Sequence, residues 1–453
     1  MGNCDCKVKD IEEDDTDKIK LDDFVLLYPI GRGGFGRVWK VRFKRHFSAK
    51  ALDSRLSKNK SRIFAMKEMS KAKVFLKKSV KSVANERKFL EMFNYNLLCN
   101  MYYAFQDSDT LYIIMDYLSG GDLRYHICRK SFFSEEETKF IAACITLSLN
   151  YIHDKKVIHR DLKPENLVFG DDGYLHLTDF GIAMDYQKEG VVSASGTPGY
   201  MAPEAIINKP HDYCVDYFAL GVIVYELMLG ERPYQGKNRK EIKEQMFTLE
   251  IKLDNDDMPE DWKDDNILDF INKLLKRKKA KRLGYNGCKE IKNHPYFKDI
   301  KWEQIENCIF NSPFTFDSED NFDDSYAQKQ DNDSIYEGKK ELYVLEVNES
   351  MTFKNFYFNI EDKIAAESND KDDNFKRKDN KKNTKTRNTS KSSSKKVSED
   401  PIVIHNVRSS ISKRKSARFK GIVPDSGNKI INVLRRDSKS RTMRINTNEN
   451  DDK

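Results

Sequence analysis

Eight consecutive residues, His159-Arg160-Asp161-Leu162-Lys163-Pro164-Glu165-Asn166, constrain this 453-residue chain more than any other feature. They place a carboxylate, an ammonium and an amide within six positions, and Asp179-Phe180-Gly181 follows thirteen residues after Asn166. Moving a phosphoryl group onto an alcohol needs three functions that this set supplies: an acceptor for the hydroxyl proton, a cation for the group in transit, and hard oxygens for Mg²⁺. Such groups act only if a packed fold holds them together. The chain is 38% apolar, enough to build a core, and 34% charged, which is above the usual quarter. Part of it therefore lies outside that core.

The rest of the pattern supports a two-lobed α+β fold. Val25-Leu26-Leu27-Tyr28 and Val38-Trp39-Lys40-Val41 are strand-like and flank Gly31-Arg32-Gly33-Gly34-Phe35-Gly36. Glycines in this spacing also make plain turns, and a dinucleotide fold would place a helix after them. A strand follows here, so the reading is a hairpin flap whose backbone N–H groups cover phosphates. Ala65-Met66-Lys67 ends a third apolar strand, and Glu86 comes nineteen residues later in a helical stretch over 83–93. Alone, Lys67 is an ordinary solvated strand-end lysine; paired with Glu86 it can hold phosphates. Leu111-Tyr112-Ile113-Ile114-Met115 reads as a buried strand. Ser134 and Glu137 form a capping box ahead of a helix with Phe140, Ile141, Cys144, Ile145, Tyr151 and Ile152 on one face. Residues 218–229 read as a helix apolar all round and hence buried. Strands dominate the first ninety-odd residues and helices the remainder. Ala202-Pro203-Glu204 closes the segment that begins at Asp-Phe-Gly.

In this order and spacing, the five motifs resemble the eukaryotic protein kinases over residues 24–297. The resemblance implies a serine/threonine kinase that uses ATP and Mg²⁺ on protein substrates, with a monomeric kinase domain. Gly31, Gly33, Gly36 and Val38 would cover ATP, and Lys67 would pair with Glu86 and the phosphates. Met115 would be the gatekeeper, Asp116 and Leu118 the adenine hinge, and Asp122 the ribose contact. Asp161 would be the catalytic base, Lys163 would meet the γ-phosphate, and Asn166 and Asp179 would hold Mg²⁺. Glu204 would pair with Arg282, and Thr197 would brace Asp161 and Lys163. His294-Pro295-Tyr296-Phe297, Asn321-Phe322-Asp323-Asp324 and Phe353-x-x-Phe356-Tyr357 resemble the domain exit and tail of the AGC group, assigning 298–359 to such a tail. Gly121-Asp122-Leu123-Arg124-Tyr125-His126 is most similar to the YANK branch.

Several positions depart from that pattern. Ser193 takes the usual activation-segment phosphosite, with Arg160 available to it. Met184 and Ser82 stand where further cations are expected, and one arginine clamps a phosphate less well than a cluster. Ser193 phosphorylation is therefore expected to be dispensable. Tyr357 replaces the phosphorylatable serine of the tail motif. The basic stretch from Arg45 to Arg62 reads as a solvated loop insertion. Asp122, Glu165 and Glu226 match positions lining the peptide groove, which implies a preference for basic residues N-terminal to the acceptor. Arg435-Arg436-Asp437-Ser438 and Lys413-Arg414-Lys415-Ser416 would then be sites for the chain's own activity.

The two ends read differently. Residues 1–23 form a flexible leader opening Met1-Gly2-Asn3-Cys4-Asp5-Cys6, an acylation pattern for Gly2 with Cys4 and Cys6 as palmitate acceptors. The pattern is imperfect, since position six is Cys rather than Ser or Thr. Residues 360–453 carry 25 Lys/Arg against 14 Asp/Glu and almost no aromatics, and read as disordered. The ten cations between Lys376 and Lys396 would add attraction to anionic lipid. Eight unpatterned cysteines and no apolar run long enough to span a bilayer imply an intracellular protein, in the cytoplasm or on the cytoplasmic face of a membrane. A pseudokinase scaffold would have lost Lys67, Asp161 or Asp179, and all are present. A nucleic-acid binder would interleave aromatics with its basic tail, and this tail does not.

Overall fold

Alternating apolar residues make the small-lobe strands, and five of them assemble into one antiparallel sheet in the order β1-β2-β3-β5-β4. The computed structural model describes residues 18–47, 59, 61–130, 132–187, 195–316 and 353–366. The strands are β1 (Phe24–Arg32), β2 (Arg37–Phe43), β3 (Ile63–Ser70), β4 (Met101–Gln106) and β5 (Thr110–Asp116). The sheet thus runs beyond the first ninety residues. Two helices interrupt it: α1 (Lys71–Leu76) and α2 (Val80–Met92). Val83, Glu86, Phe89 and Leu90 of α2 are buried at helical spacing, so one face of α2 packs inward.

The large lobe is helical. It contains α3 (Leu123–Arg129), α4 (Glu135–Asp154), α5 (Cys214–Leu229), α6 (Arg239–Thr248) and α7 (Asn266–Leu274), with two small two-stranded sheets. These pair β6 (Val157–Ile158) with β9 (Met184–Asp185), and β7 (Leu167–Phe169) with β8 (Leu175–Leu177). The expected capping box opens α4: Ser134 Oγ accepts from the Glu137 amide, and the Glu137 carboxylate accepts from the Ser134 amide. Helix α5 is buried from Cys214 through Met228 and starts four residues before the apolar run implied. It stops at Gly230, whose φ of 76° suits a left-handed cap. Arg282 is buried and pairs with Glu204 at 2.6 and 3.0 Å, as the resemblance implied, while also donating to the Cys214 carbonyl.

The tail returns to both lobes. Tyr174 donates to the Phe310 carbonyl, Ser312 to the Gly173 carbonyl, and Phe314 lies 4.6 Å from the Phe169 ring. Further on, β10 (Phe358–Asn359) adds a sixth strand to the small-lobe sheet, with Phe358 opposite Ala104 on β4. Phe353, Phe356 and Phe358 are all buried. Two expected boundaries move. Ile19 of the leader is buried, and its amide donates to the Tyr357 hydroxyl, because this apolar residue joins the aromatic cluster that Phe24, Phe43 and Tyr103 build on the small-lobe sheet. Residues 360–366 are helical rather than disordered; Ile360 packs on the core and Lys363 donates to the Glu91 carbonyl. Most of the 45–62 insertion, the 321–324 segment and the remainder of the basic tail lie outside the described residues. Among those described, no helix is long and apolar enough to cross a membrane.

Candidate active site

The β1–β2 hairpin carries the glycines. A Cβ on Gly36 would sit 2.0 Å from the Glu68 carbonyl oxygen, so only glycine permits this approach of the flap to β3. Val38 lies opposite Lys67 in the β2–β3 register, which puts the flap's exit strand beside the lysine. Lys67 Nζ is 2.5 Å from Glu86 Oε1 and 3.9 Å from Asp179 Oδ1. Burial works to lower the pKa of Lys67, but the Glu86 and Asp179 carboxylates outweigh it and hold it above the ordinary value. Burial in turn pushes Glu86 up against the pull of Lys67.

The catalytic run folds around Asp161. Its Oδ2 accepts from Lys163 Nζ at 2.6 Å and from the Asn166 amide at 3.3 Å. Its Oδ1 accepts from the Thr197 hydroxyl at 2.8 Å and the Thr197 backbone N–H at 3.0 Å. Lys163 also reaches the Thr197 hydroxyl at 3.2 Å. These contacts orient the carboxylate from two segments of chain. Asp179 sits at φ 60° and accepts from the Gly181 amide, and its side chain is half exposed. The Lys67 ammonium beside it holds its carboxyl below the usual range. The Thr178 amide, one residue before Asp179, donates to the Asn166 carbonyl, and an ionised, accessible carboxylate with the Asn166 side-chain oxygen would make the hard-oxygen donor set that Mg²⁺ takes with substrate phosphates. Phe180 is fully buried against Phe93 and His159, at centroid distances of 4.9 and 5.3 Å.

Sequence reasoning missed Asp216. Its two oxygens accept the His159 and Arg160 amides, both at 2.9 Å, and His153 Nε2 at 2.8 Å. Burial would raise its pKa, but these hydrogen bonds offset that and hold it down. Arg160 adopts φ 68°, a conformation a side-chain-bearing residue seldom takes. The available signal was one carboxylate within the apolar run Cys214-Val215-Asp216-Tyr217-Phe218.

At the cleft edge, the Asp116 amide donates to the Asn100 carbonyl, and the Asp116 carboxylate accepts from Asn100 and Tyr102. These contacts fix the strand that carries Met115 and leads to Leu118. Asp122 caps α3, accepting from the Tyr125 amide at 2.8 Å, and burial raises its pKa. Glu165 and Glu226 both bond Arg124. Its Nε is 3.1 Å from Glu165, and its Nη atoms are 3.0 and 3.3 Å from Glu226. No spacing rule points to this, because the three residues come from α3, the catalytic run and α5. Arg160 Nε donates to the Ile182 carbonyl. Ser193, Gly2, Cys4 and Cys6 lie outside the described residues.

The sequence matches the protein kinase domain family over residues 24–297. It is 33% identical over 327 residues to a probable serine/threonine-protein kinase of Dictyostelium discoideum, covering 71% of this chain and 67% of that one. It is 36% identical over 297 residues to the serine/threonine-protein kinase sgk-1 of Caenorhabditis elegans, covering 64% and 60%. It is 33% identical over 304 residues to the cAMP-dependent protein kinase type 3 of Saccharomyces cerevisiae, covering 66% and 71%. The chain thus spans roughly two thirds of the length of the curated relatives it matches. A glycine flap over a Lys67–Glu86 pair, an Asp161 oriented by Lys163 and Thr197, and this family match lead to one assignment: the chain belongs to the protein kinase family.

Proposed function

We propose that the protein is an AGC-group serine/threonine kinase that transfers the γ-phosphoryl group of ATP to hydroxyls of protein substrates. The observation that carries this is Asp161, whose carboxylate is aimed by Lys163, Asn166 and Thr197 while Lys67 and Glu86 remain paired. In the reaction an acceptor oxygen bonds to the γ-phosphorus, the bond to the β–γ bridging oxygen breaks, and the hydroxyl proton passes to Asp161. Lys163 neutralises charge on the group in transit, and Lys67 positions the α- and β-phosphates. Asn166 and Asp179 would hold Mg²⁺, which would supply charge neutralisation at the phosphates. Transfer of labelled γ-phosphate to a protein substrate tests this. The wild type is expected to label it and Asp161→Asn to lose nearly all activity; an inactive wild type would overturn the reading.

Finer features rest on sequence. The Gly121–His126 run favours the YANK branch of the group. Asp122 and the exposed side of Glu165 favour a modest preference for basic residues before the acceptor, which would make Ser416 and Ser438 self-phosphorylation sites. The kinase acts as a single chain. Acylation of Gly2, with Cys4 or Cys6 as a second anchor, would place it on the cytoplasmic face of a membrane, since one acyl chain alone binds only marginally. Gly2→Ala is expected to shift the protein to the soluble fraction, and an unchanged membrane fraction would count against this attachment.

A further inference from the structure

Arg124 lies where the peptide groove's carboxylates meet, and the kinase reading leaves it without a role. Its guanidinium is held on three sides. Nη1 and Nη2 straddle the two oxygens of Glu226, Nε faces Glu165, and the Tyr200 hydroxyl bonds both Arg124 and Glu226. The Glu226 side chain is only 5% exposed, whereas Glu165 is 44% exposed. Arg124 is the second residue of α3, in the first turn after the helix cap Asp122. Its position is therefore set by a helix, not by a loop.

Resting on the kinase reading, we propose that Arg124 is a specificity-determining residue, an internal arginine that fills the Glu165–Glu226 subsite a substrate arginine would otherwise occupy. A planar guanidinium bound to two carboxylates is what such a subsite is built to recognise. An arriving arginine must displace one already tethered in register and three-quarters buried, and it regains no more hydrogen bonds than it breaks. The tether gives Arg124 an effective concentration that a diffusing peptide does not reach. Arginine selection at this subsite is therefore weak. It is confined to what Asp122 and the outer oxygen of Glu165 still offer, and removing Arg124 would uncover it.

The test is a positional peptide library phosphorylated by the full-length wild type, Arg124→Ala, Arg124→Gln and the double variant Arg124→Ala/Glu226→Gln. Kinetics are then measured on one peptide with arginine at the selected position and its alanine counterpart. The wild type is expected to favour the arginine peptide by less than about tenfold, the ratio one charge-assisted hydrogen bond would give. Arg124→Ala and Arg124→Gln are expected to raise that ratio by about tenfold through KM, with kcat for the alanine peptide little changed. The double variant is expected to lose the gain, which a merely structural role for Arg124 would not produce. It also removes the unpaired buried charge, so it serves alongside Arg124→Gln if Arg124→Ala folds poorly. Strong arginine selection by the wild type at this subsite, or an unchanged ratio in both single variants, would overturn the assignment while leaving the kinase reading intact. A wild type that labels no peptide would bring down both.

Discussion

At the scale of single residues, the site divides into groups that touch substrate and groups that aim them. Asp161 has four donors on its two oxygens, and two of them come from Thr197. Thr197→Val keeps the backbone N–H and removes the hydroxyl. It is expected to lower kcat by about ten- to a hundredfold, the value of one hydrogen bond to a charged acceptor, with KM for ATP nearly unchanged. Steady-state kinetics at saturating peptide measure this. Asp216 acts one step further back, by holding the amides that set the backbone of the catalytic run. Asp216→Asn would turn an amide N–H toward a backbone N–H and cost about 3 kcal/mol, read as a shift in the urea midpoint. The pH dependence has a definite sign. A carboxylate with a depressed folded pKa stabilises above its unfolded value, about 3.9, and that contribution disappears as pH falls through the lower folded value. The wild-type and Asp216→Asn stability curves should therefore differ at neutral pH and converge only in acid. Asp161, Lys163 and Asn166 were readable from sequence because their chemistry needs them close together along the chain. Asp216 and Arg124 were not, because their partners lie far away in sequence and only packing brings them near.

At the scale of elements, α2 links the site to the tail. Glu86 and Arg87 are consecutive, so they point about 100° apart around the helix. Glu86 faces Lys67, while Arg87 donates to the Phe356 and Tyr357 carbonyls at 3.2 and 2.7 Å. The tail is thus held through backbone oxygens and buried rings, consistent with a tyrosine where a phosphorylated serine was the family expectation. Arg87→Ala is expected to loosen the 353–366 segment and, through α2, to lower kcat more than peptide KM. Hydrogen exchange should rise in β4 and α2 while α5 stays protected; unchanged exchange in β4 would contradict the link. The helices α4 and α5 were readable because each carries its own signal, a capping box in one and an all-apolar surface in the other. The strand β10 was not. It has two residues, too few for alternation to register, and its pairing partner is some 250 positions away. Phe353 and Phe356 announced an apolar segment without announcing its destination.

At the scale of the whole molecule, the chain leaves the small lobe at Asp116, builds the large lobe, and comes back to the small lobe at Phe353. The uneven charge, with an excess of cations only beyond residue 360, predicted that the chain's end would differ from its body. It gave no sign that residues 360–366 belong to the folded part, since a short helix is stabilised by the surface it covers and not by composition. Both ends of the described chain meet on that surface, where the Ile19 amide donates to the Tyr357 hydroxyl. The small lobe is therefore completed from three stretches, and its last piece is supplied across a long connection. Closing a long connection costs only logarithmically more than closing a short one, so the return is affordable. The tether presents the 353–366 segment at an effective concentration on the order of millimolar. A chain ending at residue 316 should keep the large lobe and the Glu204–Arg282 pair, but leave the β4 edge and the pocket for Phe353, Phe356 and Phe358 uncovered. Its kcat is expected to fall at least about tenfold, as α2 loses the contacts that hold Glu86 against Lys67. A synthetic peptide of residues 350–366 added at millimolar concentration should restore most of that loss, and the same peptide with alanine at Phe353 and Phe356 should not. Equal activity of the shortened and full chains would show that the tail covers the sheet without positioning the catalytic pair.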